Sequence, residues 1–166
     1  MADIVIRPAR TGDVRAIRRF VDSYSPDGRL LSKATVTLFE DIQEFLVAER
    51  DGEVVGCGAL HVMWEDLAEV RTVAVDPALA RQGIGSLLLT ALMQRAREVG
   101  VAKVFCLTFA VPFFERHGFT EVEDAPVDHD VYEQLLQSYD EGVAEFLGLE
   151  RVKPNTLGNH RMLAIL

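Results

Sequence analysis

The sequence predicts an α/β (α+β) fold, a single domain over residues 1–166 with a twisted mixed β-sheet and helices on both of its faces. Three observations predict it. Short β-branched, apolar runs alternate along the chain with segments whose apolar residues recur at helical spacing. Two of these runs are joined at Asp51-Gly52, a strong hairpin signal. A further run ends at Val73-Ala74-Val75-Asp76-Pro77 and passes through Arg81-Gln82-Gly83-Ile84-Gly85-Ser86 into a leucine-rich pattern, which makes a strand, a glycine turn and a helix in succession.

The elements follow in order. Ile4, Val5 and Ile6 form a first strand that stops at Pro8, and Thr11-Gly12-Asp13 caps a helix carrying Val14, Ile17, Phe20 and Val21 on its apolar side. Arg15, Arg18 and Arg19 form its solvated side. The turn Ser25-Pro26-Asp27-Gly28 leads past Lys33 to a short helix with an apolar stripe at Val36, Phe39 and Ile42. Residues 45–49 and 54–63 are the hairpin strands, and the helix after the glycine turn, carrying Ile84, Leu88, Leu92, Ala96 and Val99, stops at Gly100. Residues 101–108 form a strand and 112–118 a short helix with proline at its start and glycine at its end. A strand begins at Phe119, one helix spans 128–147, and 162–166 is a closing strand.

Bulk composition narrows the function. With 166 residues, 49% hydrophobic and 26% charged, the chain can bury one substantial core. Its 26 acidic and 17 basic residues leave a net charge of −9, which argues against nucleic acid as a partner. No apolar run approaches the ~20 residues that a membrane helix needs, and Met-Ala-Asp-Ile-Val-Ile is no signal peptide, so a cytoplasmic protein is expected. Cys57 and Cys106 lie in strand-like runs and read as buried thiols. His61, His117, His129 and His160 lack metal-ligand spacing, and no metal is expected.

The glycine turn is the chemically suggestive stretch. A helix that starts from such a turn leaves backbone N–H groups unpaired at the positive end of its dipole, where a phosphate can lie against them. Glycine lets the phosphate reach the backbone. Leu88 stands where a dinucleotide fingerprint would have its third glycine, and no Gly-Lys-Ser/Thr follows as in a P-loop.

The strand Val-Ala-Val-Asp-Pro, the turn and the leucine-rich helix together resemble the acetyl-CoA motif of the GNAT superfamily of N-acetyltransferases. Ala80 departs from that motif, which usually has Gln or Arg there, with Arg81 standing beside it. Three stretches are further similar to the amino-acid N-acetyltransferases of the N-acetylglutamate synthase type. They are GRLLSKATVTLFEDIQEFLVAERDGEVVGCGAL, the turn itself, and LTFAVPFFERHGF; the closing VKPNTLGNHRMLAIL looks like short, single-domain members of that group. The kinase-like domain that carries arginine inhibition in the long forms has no counterpart in these residues, so the resemblance leaves regulation by arginine open.

The resemblance implies acetyl-CoA as co-substrate, held by Val73, Ala74, Val75, Arg81, Gln82, Gly83, Ile84, Gly85 and Ser86, and no metal. It implies Glu69 as the base that deprotonates the attacking amine. Lys33 and Arg161 would bind substrate carboxylates, and Leu107 and Thr108 would line the substrate. Strand alternation puts Glu69, Arg71, Val73 and Val75 on one face, so Arg71 projects near the base, with Glu69 or the substrate as its carboxylate partner. Phe114 stands where many relatives have a tyrosine that protonates the departing thiolate. The implied reaction is acetyl transfer to the α-amine of L-glutamate or L-glutamine, the first step of arginine biosynthesis. The alternatives are a GNAT enzyme for another small amine and a non-catalytic acetyl-CoA or amino-acid sensor. The partner is a small molecule, neither nucleic acid nor membrane, and the oligomeric state stays open, a homodimer included.

Overall fold

The computed structural model describes residues 3–24, 34–147 and 159–166. Among the described residues, seven strands, β1 (Val5–Pro8), β2 (Phe45–Arg50), β3 (Glu53–Trp64), β4 (Leu67–Val75), β5 (Lys103–Thr108), β6 (Thr120–Val122) and β7 (His160–Ile165), form one mixed sheet in the order β1-β2-β3-β4-β5-β7-β6, and six α-helices accompany them. The chain divides into two compact units, one of Met1–His61 with Val70–Val99 and one of Val62–Glu69 with Gly100–Leu166.

In the first unit, β1 (Val5–Pro8) runs antiparallel to β2 (Phe45–Arg50), and β2 runs antiparallel to β3 (Glu53–Trp64). The expected hairpin is present. Asp51 and Gly52 both take positive φ, 53° and 80°, as the tight turn between right-twisted strands requires. α1 (Val14–Tyr24) buries Val14, Ile17, Phe20 and Val21 against Leu38, Ile42, Phe45, Val47, Cys57, Ala59 and Ala74. Each such aliphatic or aromatic side chain contributes roughly 1.5–3 kcal/mol by leaving water. The stripe expected on α2 (Thr35–Glu40) differs: Leu38 is buried, whereas Val36 and Phe39 are exposed. The helix ends at Glu40, and Ile42 belongs to a separate 3-10 turn, so no continuous helical face joins the three residues.

β4 (Leu67–Val75) contributes Val70–Val75 to this unit, and Asp76 ends it by accepting the Ala78 N–H at 2.9 Å. α3 (Ile84–Val99) covers the other side of β3. Gly56 and Gly58 alternate with Cys57 and Ala59 along the strand, and a Cβ at Gly58 would stand 2.8 Å from Leu92 Cδ1. Gly100, at φ +99°, ends α3.

In the second unit, Leu67–Glu69 of β4 pair in parallel with β5 (Lys103–Thr108), Glu69 lying opposite Phe105. β7 (His160–Ile165) is antiparallel both to β5 and to β6 (Thr120–Val122). α4 (Val111–Glu115) begins one residue before Pro112, and Gly118 follows it at φ +89°. The single helix expected over 128–147 is two, α5 (His129–Leu135) and α6 (Glu141–Phe146). Two aspartates explain the break. Asp128 accepts the Val131 N–H and Asp140 accepts the Val143 N–H, so each starts a helix of its own, and Ser138 Oγ takes the Asp140 N–H in the turn between. Both helices deliver Leu135, Val143 and Phe146 to a core with Met63, Leu67 and Phe105.

One ion-pair network ties the start of α1 to the strands. Arg7 donates to both oxygens of Asp13, at 2.8 and 3.0 Å, and to Glu49 at 2.6 Å, while Asp13 also accepts the Arg10 N–H at 2.7 Å. The Arg7 hydrogen bonds hold the Asp13 carboxyl below the usual carboxylate range against the opposing effect of burial. A depressed carboxylate adds stability above its unfolded pKa of about 3.9, and that stability is lost as pH falls through the lower folded value. Asp13→Asn should therefore destabilise the protein by about 1–3 kcal/mol at pH 7. In urea titrations repeated across pH, the gap from the parent should close as the pH drops below about 4.

Candidate active site

In the first unit the chain leaves β4 through a 3-10 turn at Pro77–Leu79 and reaches α3 by way of two left-handed residues, Arg81 at φ 65° and Gly83 at φ 82°. Arg81, Gln82 and Gly83 are exposed, Ile84 is buried, and Gly85 and Ser86 are half-buried. The first hydrogen bond of the helix runs from the Leu87 N–H to the Gly83 carbonyl, so the amides just before Leu87 face out of the helix start. Left-handed residues beside this terminus curl the backbone into a concavity of N–H groups, which suits a pyrophosphate. The residues present therefore fit the phosphate end of acetyl-CoA. A Cβ at Gly83 would meet no protein atom within 4 Å, so within the protein itself it is the left-handed backbone that calls for glycine there.

The structure adds two residues to this region. Arg50, at the end of β2, donates to Gln82 Oε1 at 3.3 Å and brings a second cation to the turn beside Arg81. Tyr24 Oη, at the end of α1, donates to the Val75 carbonyl at 2.7 Å and holds the end of the strand. Sequence separations of 32 and 51 residues left no local signal for either. Of the proposed cofactor strand, Ala74 is buried, while Val73 and Val75 are half-buried.

Inside β4, Thr72 takes φ 57°, a left-handed conformation rare for a β-branched residue, while Arg71, Val73 and Val75 are half-buried and Val70, Thr72 and Ala74 are buried. Arg71 is half-buried, and its Nη2 atom is enclosed without a hydrogen bond while the side chain is engaged elsewhere.

In the second unit, Glu69 is 3% exposed and therefore no surface carboxylate. Burial pushes the neighbouring Cys106 thiol well above its usual range, and the Glu69 charge pushes it the same way, so this thiol stays protonated. Leu107 lies opposite Arg161 and Thr108 opposite His160, which makes two of the substrate candidates cross-strand neighbours. Thr108 is buried, and its Oγ1 accepts the Ala110 N–H at 2.8 Å. The Arg161 guanidinium lies 6.0 Å above the centre of the Phe105 ring. It donates to the carbonyls of Glu145 and Phe146 at the end of α6, a task that the sequence reading did not foresee. Phe114 is buried, its ring edge-on to Phe113 and Phe119 at 5.1 and 5.2 Å. Lys33 lies outside the described residues.

Among the described residues no group of three or more His, Cys, Asp or Glu is placed to hold a metal ion, and no helix is long and apolar enough to cross a membrane.

Known proteins resemble the whole arrangement. The family model described as acetyltransferase (GNAT) family matches residues 15–119. An amino-acid acetyltransferase of Mycobacterium tuberculosis is 56% identical over 98% of this chain and 94% of its own length. A crystal structure from the same organism, in complex with CoA and a second ligand, superposes with a TM-score of 0.94 at 56% identity, covering 98% of this chain and 99% of that one. The amino-acid acetyltransferase of Aeromonas salmonicida is 32% identical over 74% of this chain, which spans only 28% of that longer protein. N-acetylglutamate synthase from Neisseria gonorrhoeae, complexed with coenzyme A and N-acetyl-glutamate, shares the fold with a TM-score of 0.79 at 24% identity, over all of this chain and 36% of that one.

Replacing Gly83 or Gly85 with valine should abolish acetyl-CoA binding by calorimetry in protein whose circular dichroism spectrum is unchanged. Valine cannot adopt φ +82° without strain, and at position 85 its branches would crowd the first-turn amides. An unaltered affinity in folded Gly85→Val would remove the turn from the cofactor site.

Proposed function

Because the chain belongs to the acetyltransferase (GNAT) family, we propose that residues 1–166 form one catalytic domain that moves an acetyl group from acetyl-CoA to the α-amine of L-glutamate or L-glutamine. The reaction would open arginine biosynthesis in the cytoplasm. The observation that carries this reading is the likeness to the Mycobacterium tuberculosis amino-acid acetyltransferase, which extends over nearly the whole of both chains. The glycine turn and the helix start behind it support acetyl-CoA as the co-substrate, with Arg81 and Arg50 as nearby cations.

The chemistry asks for a neutral amine, and an α-ammonium is largely protonated at pH 7, so a base must take a proton. Glu69 is that base in this reading. Its burial supports the role, because a carboxylate screened from bulk water can meet the ammonium without first shedding a hydration shell. Arg161 has five N–H donors, and its bonds to α6 occupy one hydrogen on each terminal nitrogen, which leaves donors for a substrate carboxylate. Lys33 would take the second carboxylate of glutamate as a point charge. With phenylalanine at position 114, the departing thiolate takes its proton from water, which its ordinary pKa near ~8.5 permits.

Thiol release from acetyl-CoA, followed across a panel of amines, tests the reading directly. Turnover on glutamate or glutamine well above other amino acids is expected; a preference for an unrelated amine would move the enzyme to another substrate. Binding of acetyl-CoA without turnover on any amine would make the chain a sensor. Glu69→Gln should lower kcat by roughly 10²- to 10⁴-fold with little change in either KM, and the loss should shrink at high pH, where free amine needs no base. Lys33→Ala should raise the amino-acid KM and leave kcat alone, because a carboxylate contact kept in ground and transition states affects binding only. The penalty should be greater for glutamate than for alanine, and an unchanged KM would take Lys33 out of the site.

A further inference from the structure

The left-handed residue in β4 receives a hydrogen bond from a thiol of the neighbouring strand. Cys57 of β3 is fully buried, and its Sγ donates to the Thr72 carbonyl at 3.4 Å. The Ala74 N–H lies near the same sulfur, so one atom neighbours the backbone at two positions, on both sides of Val73. A residue at φ 57° inside a strand turns its peptide groups out of the regular ladder, and a β-branched side chain resists that conformation. A buried carbonyl or amide displaced from the ladder needs another partner. A thiol provides one because its S–H donates weakly while the sulfur accepts. Burial pushes this thiol up to about 12, so it keeps the proton it donates at any pH the enzyme meets.

We propose that Cys57 is a positioning residue: its thiol holds Thr72 in the left-handed conformation and thereby sets the course of β4 between Arg71 and the cofactor-binding segment Val73–Val75. The inference rests on the reading of that segment as part of the acetyl-CoA site. Cys57 itself meets neither substrate nor cofactor. It acts through the backbone it supports, which gives a buried, chemically inert cysteine in a cofactor-dependent enzyme a defined task. Serine would preserve a donor and acceptor at this position with a shorter reach, alanine would preserve neither, and glycine at position 72 would adopt the left-handed conformation unaided.

These differences define the test. Cys57→Ala should speed hydrogen exchange at the Ala74 amide and raise the acetyl-CoA dissociation constant, each by about two- to tenfold, the range that one hydrogen bond's net contribution spans. Cys57→Ser should recover part of both changes. Cys57→Val, which fills the space without a donor, should resemble alanine in exchange rate even if its melting temperature is restored. In a Thr72→Gly background, removal of the thiol should change the dissociation constant by no more than about twofold, since the strained conformation no longer needs support. Equal losses from Cys57→Ala with Thr72 and with Gly at position 72 would overturn the proposal. So would recovery of exchange and affinity in Cys57→Val, which would reduce Cys57 to packing. If the parent protein bound no acetyl-CoA, the cofactor reading would fail by itself, and exchange at Ala74 would still decide whether the thiol supports the strand.

Discussion

Helix α3 lies against β3 only because two residues of that strand have no side chain. A Cβ at Gly56 would stand 3.0 Å from Leu88 Cδ1, 3.2 Å from the Ala74 carbonyl and 3.4 Å from Ile84 Cγ2, so the first turn of the helix and the end of β4 converge on one backbone position. Gly58 repeats the arrangement one turn further along, against Leu92. Close packing of this kind leaves little room for the helix to shift, since interiors are as dense as organic crystals. The start of α3, with the glycine turn before it, is consequently held close to the Ala74 backbone, and a ligand that used both would find them preorganised.

Electrostatics must then work locally. A chain with net charge −9 repels an anionic cofactor at long range, but in physiological salt that field decays within about 8 Å. Inside that distance the turn presents backbone N–H groups, the Arg81 side chain and, through Gln82, the guanidinium of Arg50. The second unit uses its cations differently. Arg161 bridges β7 to the end of α6 by donating to two terminal carbonyls, which binds a helix of only six residues to the strand that carries the guanidinium. A residue with that structural task can still face a substrate, but its removal would disturb both.

Much of the architecture was legible because it follows from local pattern. Asp51-Gly52 demanded a hairpin, Gly100 ended a helix, and Val14, Ile17, Phe20 and Val21 mapped a buried face, all without reference to distant residues. The misreadings share a cause. Apolar spacing over 128–147 suggested one helix, yet Asp128 and Asp140 each offered an N-cap, and spacing alone does not register a second start signal inside a periodic run. Val36 and Phe39 fitted a helical stripe, but a helix that stops at Glu40 buries Leu38 instead.

By itself the sequence determined the class of fold, the glycine turn that opens a helix, the buried state of both cysteines, and the family to which the chain belongs. Each of these depends on residue type and near-neighbour spacing, which a chain carries wherever it is placed. Tertiary structure alone decided that Glu69 is buried, that Arg50 reaches Gln82, that Tyr24 holds Val75, that Arg161 closes α6 and that Cys57 meets the Thr72 carbonyl. Most of those facts are pairings between residues 15 to 51 positions apart. Which distant groups meet is set by strand order and close packing, and no local periodicity encodes it.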